Sequence, residues 1–247
     1  TKMKTRLARI LGLLLLGSTA APAADEPLSI HFISGSNEYK SEPSLQAFQK
    51  ELESRYRVSI TASWVRDRAE NLPGVEHVAQ ADLLLIFARR MKLPKEQMAV
   101  IRRHWDSGKP IVGIRTSSHA FGNEDNEIFD RLVMAGNYSG HFGNEPVAVS
   151  TAEGAANHPV LKDVGKIESL KMYKAGELGA GANLLQNGTI KSKNATHAVT
   201  WTNVYKGGRM FYTSLGVPVD FDNDQFRRMI VNAIFWTTKS KEADYLK

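Results

Sequence analysis

Polar side chains that can do chemistry gather at four places in this chain. Arg115-Thr116-Ser117-Ser118-His119 follows the apolar run Pro110 to Ile114. Asn37-Glu38-Tyr39-Lys40-Ser41-Glu42 follows the apolar run that starts at Leu28. Arg89 and Arg90 follow a third such run, and Ser214 and Gly216 a late one. An imidazole with an ordinary pKa of about 6.5 suits proton transfer at neutral pH, which makes His119 the candidate acid/base; a hydrogen bond that ties its loop down is the competing role. Glu38 is the candidate carboxylate to orient it. His141, after Gly140, is a candidate assistant, whereas His158 before Pro159 reads as a cap of a local turn. Arg115 offers a planar donor fork for a carboxylate or a sugar hydroxyl, or a structural pair with Glu38 or Glu42. Ser117 and Ser118 lack the Gly-x-Ser-x-Gly elbow of a serine nucleophile, so they read as helix caps or ligand hydrogen bonders, alongside Tyr39. Glu38, His119 and His141 can supply three metal ligands, but no HxH or HExxH spacing supports a metal, and Gly35-Ser36-Asn37 lacks the glycine spacing and lysine of a phosphate loop. No cofactor is expected, with a divalent metal on those three residues as the alternative.

The elements that position these residues follow from periodicity. Leu28 to Ser34, Val58 to Val65, Ala81 to Ala88 and Pro110 to Ile114 read as strands, the last two apolar but for Asp82, as expected of strands covered on both faces. Leu45, Phe48 and Leu52 mark a helix over Ser44 to Tyr56, and Met98, Ile101 and Trp105 mark another that starts at Pro94. The alternation predicts a parallel sheet with helices on both faces, whose ligands sit beyond the carboxyl ends of the strands. Asn126 to Met134 is a candidate helix, and residues 135–165 read as an excursion of loops and short strands. Glu168 to Tyr173 and Asn183 to Gln186 are candidate strands. Ala198 to Val204 and Arg209 to Leu215 flank Tyr205-Lys206-Gly207-Gly208 as a hairpin, and a helix from Phe226 to about Thr238 closes the fold. The charged tail Lys239 to Lys247 reads as frayed.

Composition narrows the function classes. The 247 residues carry a formal charge of +6, yet Lys2, Lys4, Arg6 and Arg9 stand in an N-terminal stretch without acids. Without them 28 basic side chains face 26 acidic ones, which gives no general reason to bind nucleic acid or an anionic membrane. There is no cysteine, hence no disulfide, thiolate metal site or cysteine nucleophile. The basic patch, the apolar run Ile10 to Leu16 and Ala21-Pro22-Ala23 stand in the order of a secretory signal peptide. Residues 1–23 are expected to be removed on export to the periplasm or medium, leaving a single domain over 24–247 with no membrane segment.

Gly113-Ile114-Arg115-Thr116-Ser117-Ser118-His119-Ala120-Phe121, preceded by Asp82 to Phe87, resembles the trehalose-utilization (ThuA-like) family. So do Asn37-Glu38-Tyr39 to Glu42, Gly136 to His141, His158-Pro159-Val160-Leu161, Ala198 to Trp201 through Tyr205 to Arg209, and Phe226-Arg227-Arg228 to Trp236. The resemblance covers nearly all of the chain after the signal. It implies a flavodoxin-like α/β three-layer sandwich with a parallel central sheet, related to class I glutamine amidotransferases, and a role in sugar metabolism. The chain departs from the family at Asn37, often His there, and at Gly216-Val217, often Gly-His. Arg115 stands where the related amidotransferases carry their nucleophilic cysteine, so glutamine hydrolysis through a thioester is excluded.

The leading reading is an exported protein that acts on a glycoside or oxidised sugar. His119, Glu38 and His141 would be catalytic, and Arg115, Ser117, Ser118 and Tyr39 would hold substrate. The alternative is a non-catalytic module that binds a carbohydrate or a partner on the same fold. An enzyme needs His119 and Glu38 within hydrogen-bond reach, directly or through one water. A sugar binder needs aromatics flanking a groove, with Tyr39, Tyr138, Trp201 and Tyr212 as candidates.

Overall fold

A computed structural model describes residues 26–247. The expected signal segment lies outside the described residues. In chain order the elements are β1 (Leu28–Gly35), α1 (Ser41–Arg55), β2 (Val58–Trp64), β3 (Leu83–Ala88), α2 (Lys95–Asp106), β4 (Ile111–Ile114), α3 (Asn123–Glu127), β5 (Tyr138–His141), β6 (Val147–Thr151), β7 (Glu168–Ser169), β8 (Tyr173–Ala175), β9 (Asn183–Ile190), β10 (Ala195–Tyr205), β11 (Gly208–Thr213), α4 (Pro218–Phe221) and α5 (Asp224–Thr237).

One sheet has the order β2-β1-β3-β4-β11-β10-β9-β6-β7. Its first five strands are parallel, in the 2-1-3-4-5 order of flavodoxin-like folds with β11 as fifth strand. The next four run antiparallel to their neighbours. The fold is therefore α/β as expected, but only half of the sheet is parallel. Of the antiparallel strands, β6 comes from the expected excursion over residues 135–165, whereas β7, β9 and β10 come from the later segments read as candidate strands and a hairpin.

Strand alternation splits the core into two layers. Leu83, Leu85 and Phe87 of β3 face α1 and α5, together with Leu45, Phe48, Met229 and Ile230. Leu84, Ile86 and Ala88 face α2, together with Met98, Ile101 and Trp105. Every residue of β3 is buried, which accounts for its continuous apolar run.

Three local readings are corrected. The stretch Asn126 to Met134 is not one α-helix: α3 passes into a π-helical turn over Ile128–Val133. Glu168 to Tyr173 splits between β7 in the main sheet and β8, which pairs with β5 in a separate two-stranded ribbon. The tail does not fray. Tyr245 is buried, its carbonyl accepts from Arg57 N at 2.7 Å, and Leu246 bridges Tyr56. Glu242 pairs with Arg228. One buried ring, backbone hydrogen bonds and one ion pair thus dock a segment whose composition reads as solvated.

Candidate functional site

The loops after β1, β3, β4 and β11 meet at the carboxyl end of the parallel half. Arg115 is the first residue after β4 and has a left-handed backbone, φ 46°. Gly113 lets the turn fold back on its strand, because a Cβ there would stand 2.7 Å from Ser117 Oγ and 2.6 Å from Met134 Cε. The turn Arg115–His119 is a 3-10 helix buried from end to end. Its backbone is held by Tyr212 Oη donating to Arg115 O at 2.8 Å and by Arg90 N donating to His119 O at 2.7 Å. Asn126 closes the loop, donating to Ser118 O at 3.0 Å and accepting from Phe121 N at 3.2 Å.

His119 lies 7% exposed beneath a cover of tyrosines. The Tyr138 ring stacks on it at 4.3 Å and Tyr173 stands 5.5 Å away. Its Nδ1 shares a 3.1 Å hydrogen bond with Ser118 Oγ. Burial, reinforced by the positive charges of Arg90, Arg89 and Arg115, pulls its pKa down to about 3. The imidazole is neutral at physiological pH and can both donate and accept a hydrogen bond.

Arg115 is fully buried, its guanidinium 4.1 Å from the Tyr39 ring centroid and 4.4 Å from that of Tyr173. Its Nη1 donates to Ser214 O at 2.6 Å. It pairs with neither Glu38 nor Glu42. Glu38 instead bonds Arg89 at 3.3 Å, and Arg89 also reaches Asp67 at 3.3 Å. No hydrogen bond joins Glu38 to His119 among the described residues, so the expected carboxylate–imidazole pair is not formed. The hydroxyl of Ser118 occupies the orienting position.

The remaining candidates divide. Tyr39 is 5% exposed on Arg115, and the Ser117 hydroxyl is buried without a partner. His141 is exposed on β5, opposite Tyr173, with Nδ1 3.0 Å from Phe142 O, and makes no direct hydrogen bond to His119. His158 caps its turn, Nδ1 accepting from Val160 N at 3.2 Å. Trp201 and Tyr212 are not groove aromatics. They are 2% and 1% exposed and pack against each other at a tilt inside the α2-side core. Glu38, His119 and His141 form no cluster able to hold a metal, nor does any other group of three His, Asp or Glu among the described residues.

Two carboxylates and one ring escaped sequence reasoning. Asp130, on the π-helical turn, accepts from Tyr138 N at 3.0 Å and so holds the cover over His119. Burial pushes its pKa up to about 6. Asp220 is fully buried and takes Gly216 N, Val217 N and Ser169 Oγ, fixing the loop after β11. Tyr173 sits on a strand too short to show a period. For Asp130 the available signal was an acid at an apolar-face position of a helical pattern.

The sequence model of the ThuA family, described as trehalose utilisation, matches residues 30–237. The chain belongs to this family. Its family context is carbohydrate metabolism. No curated protein sequence matches it. Among solved structures it resembles a ThuA-like protein from Bacteroides uniformis, at 15% identity and TM-score 0.65 over 88% of this chain and 95% of the other. A ThuA-like protein from Parabacteroides merdae gives 13% identity and TM-score 0.66 over 86% and 90%. A β-galactosidase from Rahnella sp. R3 gives 14% identity and TM-score 0.60, over 88% of this chain but 32% of that enzyme. At these identities the ThuA chain shares a fold with the three and nothing finer.

Proposed function

We propose that this ThuA-family chain acts on a carbohydrate, a glycoside or an oxidised sugar derivative, in sugar catabolism outside the cytoplasm. The observation that carries the reading is the neutral His119 imidazole at the strand carboxyl ends, fixed by Ser118 and covered by Tyr138. A sugar ring presents one face of C–H groups and a rim of hydroxyls. It can take the position of the Tyr138 ring, with His119 and Arg115 at its rim. With the cover closed, His119 is a weak base, since its pKa lies far below neutrality. A hydroxyl-rich ring in place of Tyr138 offers the imidazole hydrogen bonds that favour its charged form and so raises its pKa, which suits it better to proton transfer. His119 is then the acid/base, Ser118 its orienting partner, Arg115, Ser117 and Tyr39 the substrate contacts, and His141 an assistant on the cover.

The pairing of Glu38 with Arg89 favours a second reading, a module that binds the sugar without turning it over. The experiment that separates them offers a panel of disaccharides and 3-keto sugars to the protein and to His119→Ala, with products followed by NMR and binding by thermal shift. Turnover lost in His119→Ala supports catalysis. Stabilisation without product supports binding alone, and no response to any sugar contradicts both. Export is tested separately: the mature protein is expected to begin at Ala24 or a near neighbour, and recovery of an intact N-terminus from the periplasm contradicts it.

A further inference from the structure

The buried guanidinium of Arg115 is only half used. Its Nη1 donates to Ser214 O at 2.6 Å, with Lys171 O farther off at 3.5 Å, whereas Nε and Nη2 are buried and have no hydrogen-bond partner. Those two nitrogens form one edge of the guanidinium, from which two N–H bonds point the same way. That edge matches the two oxygens of a carboxylate in a planar, bidentate pair. Burying a cation with two idle donors is costly, so an occupant that accepts both is strongly favoured there.

The neighbours share this bias. The β4–β11 register pairs Ile114 with Thr213, so the next residues, Arg115 and Ser214, stand side by side. The hydroxyls of Thr116, Ser117 and Ser214 are buried and unpartnered, and each can donate to an anion. The Tyr39 and Tyr173 rings both pack against the guanidinium and so restrict the direction of its free edge. No acid forms an ion pair with Arg115 among the described residues. The charge of Asp220 bears on Arg115 without an ion pair, and one of its oxygens already takes three donors.

We infer that the free edge of Arg115, with the hydroxyls of Ser117 and Ser214, seats the carboxylate of an acidic sugar, a uronic or aldonic acid. The inference rests on the carbohydrate reading above and narrows its substrate class. A neutral sugar can offer hydroxyl oxygens to the two donors, but it leaves the buried charge uncompensated. Entry requires the tyrosine cover to open, since Arg115 is fully buried when it is closed.

The test is calorimetric titration with D-glucuronate and with its neutral amide, D-glucuronamide, at fixed ionic strength, with trehalose and acetate as controls. Glucuronate should bind about tenfold tighter than the amide or better. Arg115→Lys keeps the charge but not the fork, and should erase that preference. Should Arg115→Lys fail to fold, Ser214→Ala serves. It removes a hydroxyl without a partner, so stability should hold while glucuronate weakens several-fold. Equal affinity for acid and amide, or no binding of either, overturns the carboxylate seat. Trehalose binding without any preference for acids overturns the seat and leaves the carbohydrate reading standing. Acetate binding as tightly as glucuronate, with no response to trehalose, supports the seat and removes the carbohydrate reading.

Discussion

His119 combines two properties that rarely meet in a structural histidine. It lies at the strand carboxyl ends, where ligands of open α/β sheets bind, and its ring packs on two polar aromatics, Tyr138 and Tyr173. Substituting it therefore separates function from stability. His119→Ala should cost about 1–2 kcal/mol, from lost stacking and a small cavity, and leave the protein folded. Carbohydrate turnover or binding should vanish in the same variant. Urea unfolding beside the sugar panel checks both, and a folded variant with full activity would show that the ring only ties its loop. Arg115 shows how far residue type alone leads. Its fork was legible from sequence as a carboxylate or hydroxyl holder, and its burial beside Tyr39 was not. Glu38 was expected beside His119, but Arg89, after β3, takes its carboxylate and Asp67, after β2, takes Asn37, which holds the loop after β1 between β2 and β3. Contacts between loops depend on such three-dimensional competition, which no spacing within one loop encodes.

The cover over His119 is a property of elements. β5 and β8 form a two-stranded ribbon, too small to be stable alone, so its position depends on what tethers it. Asp130 supplies one tether, through Tyr138 N and through its own carbonyl, which accepts from Gly136 N at 2.6 Å. Gly136 is required there, since a Cβ would stand 2.4 Å from Asp130 Oδ1. Asp130→Ala should loosen Tyr138, admit water to His119 and raise its pKa from about 3 toward about 6.5. An NMR titration of the histidine ring signals reads this directly, and a His119 still neutral at pH 4 would show that the ribbon holds without Asp130. The parallel strands were legible because burial on both faces writes a continuous apolar run. The ribbon was not, since β5 and β8 are 4 and 3 residues long and half exposed, too short for any period to emerge.

At the scale of the whole molecule, buried histidines set the response to acid. His31 is fully buried within β1 and bonds Thr61 and Ser63 of β2, and His104 is 3% exposed on α2. Burial lowers both pKa values to about 4, and that of His119 to about 3. The unfolded chain protonates each near pH 6.5, so the stability tied to their neutral forms is complete above that pH and is lost as pH falls toward 4. For His31 and His104 the loss is roughly 3 kcal/mol each as an order of magnitude. Asp130 acts in the opposite direction: its pKa is raised to about 6, and its contribution to stability grows as pH falls through 6. The histidines outnumber it, so urea midpoints should drop between pH 7 and pH 4.5, and a flat profile would show these rings to be hydrated. The same histidines are also fixed reporters of where a ligand sits. His31, His77 and His104 lie toward the α2 face, His158 caps a turn against Trp236, and His119 alone lies under the tyrosine cover. The most direct measurement is therefore an NMR titration of the histidine ring signals with the tightest-binding sugar of the panel, His119 being assigned by its loss in His119→Ala. The account predicts that His119 shifts most, with His141 following and the others still. A shift centred on His31, His77, His104 or His158, with His119 unmoved, would contradict it.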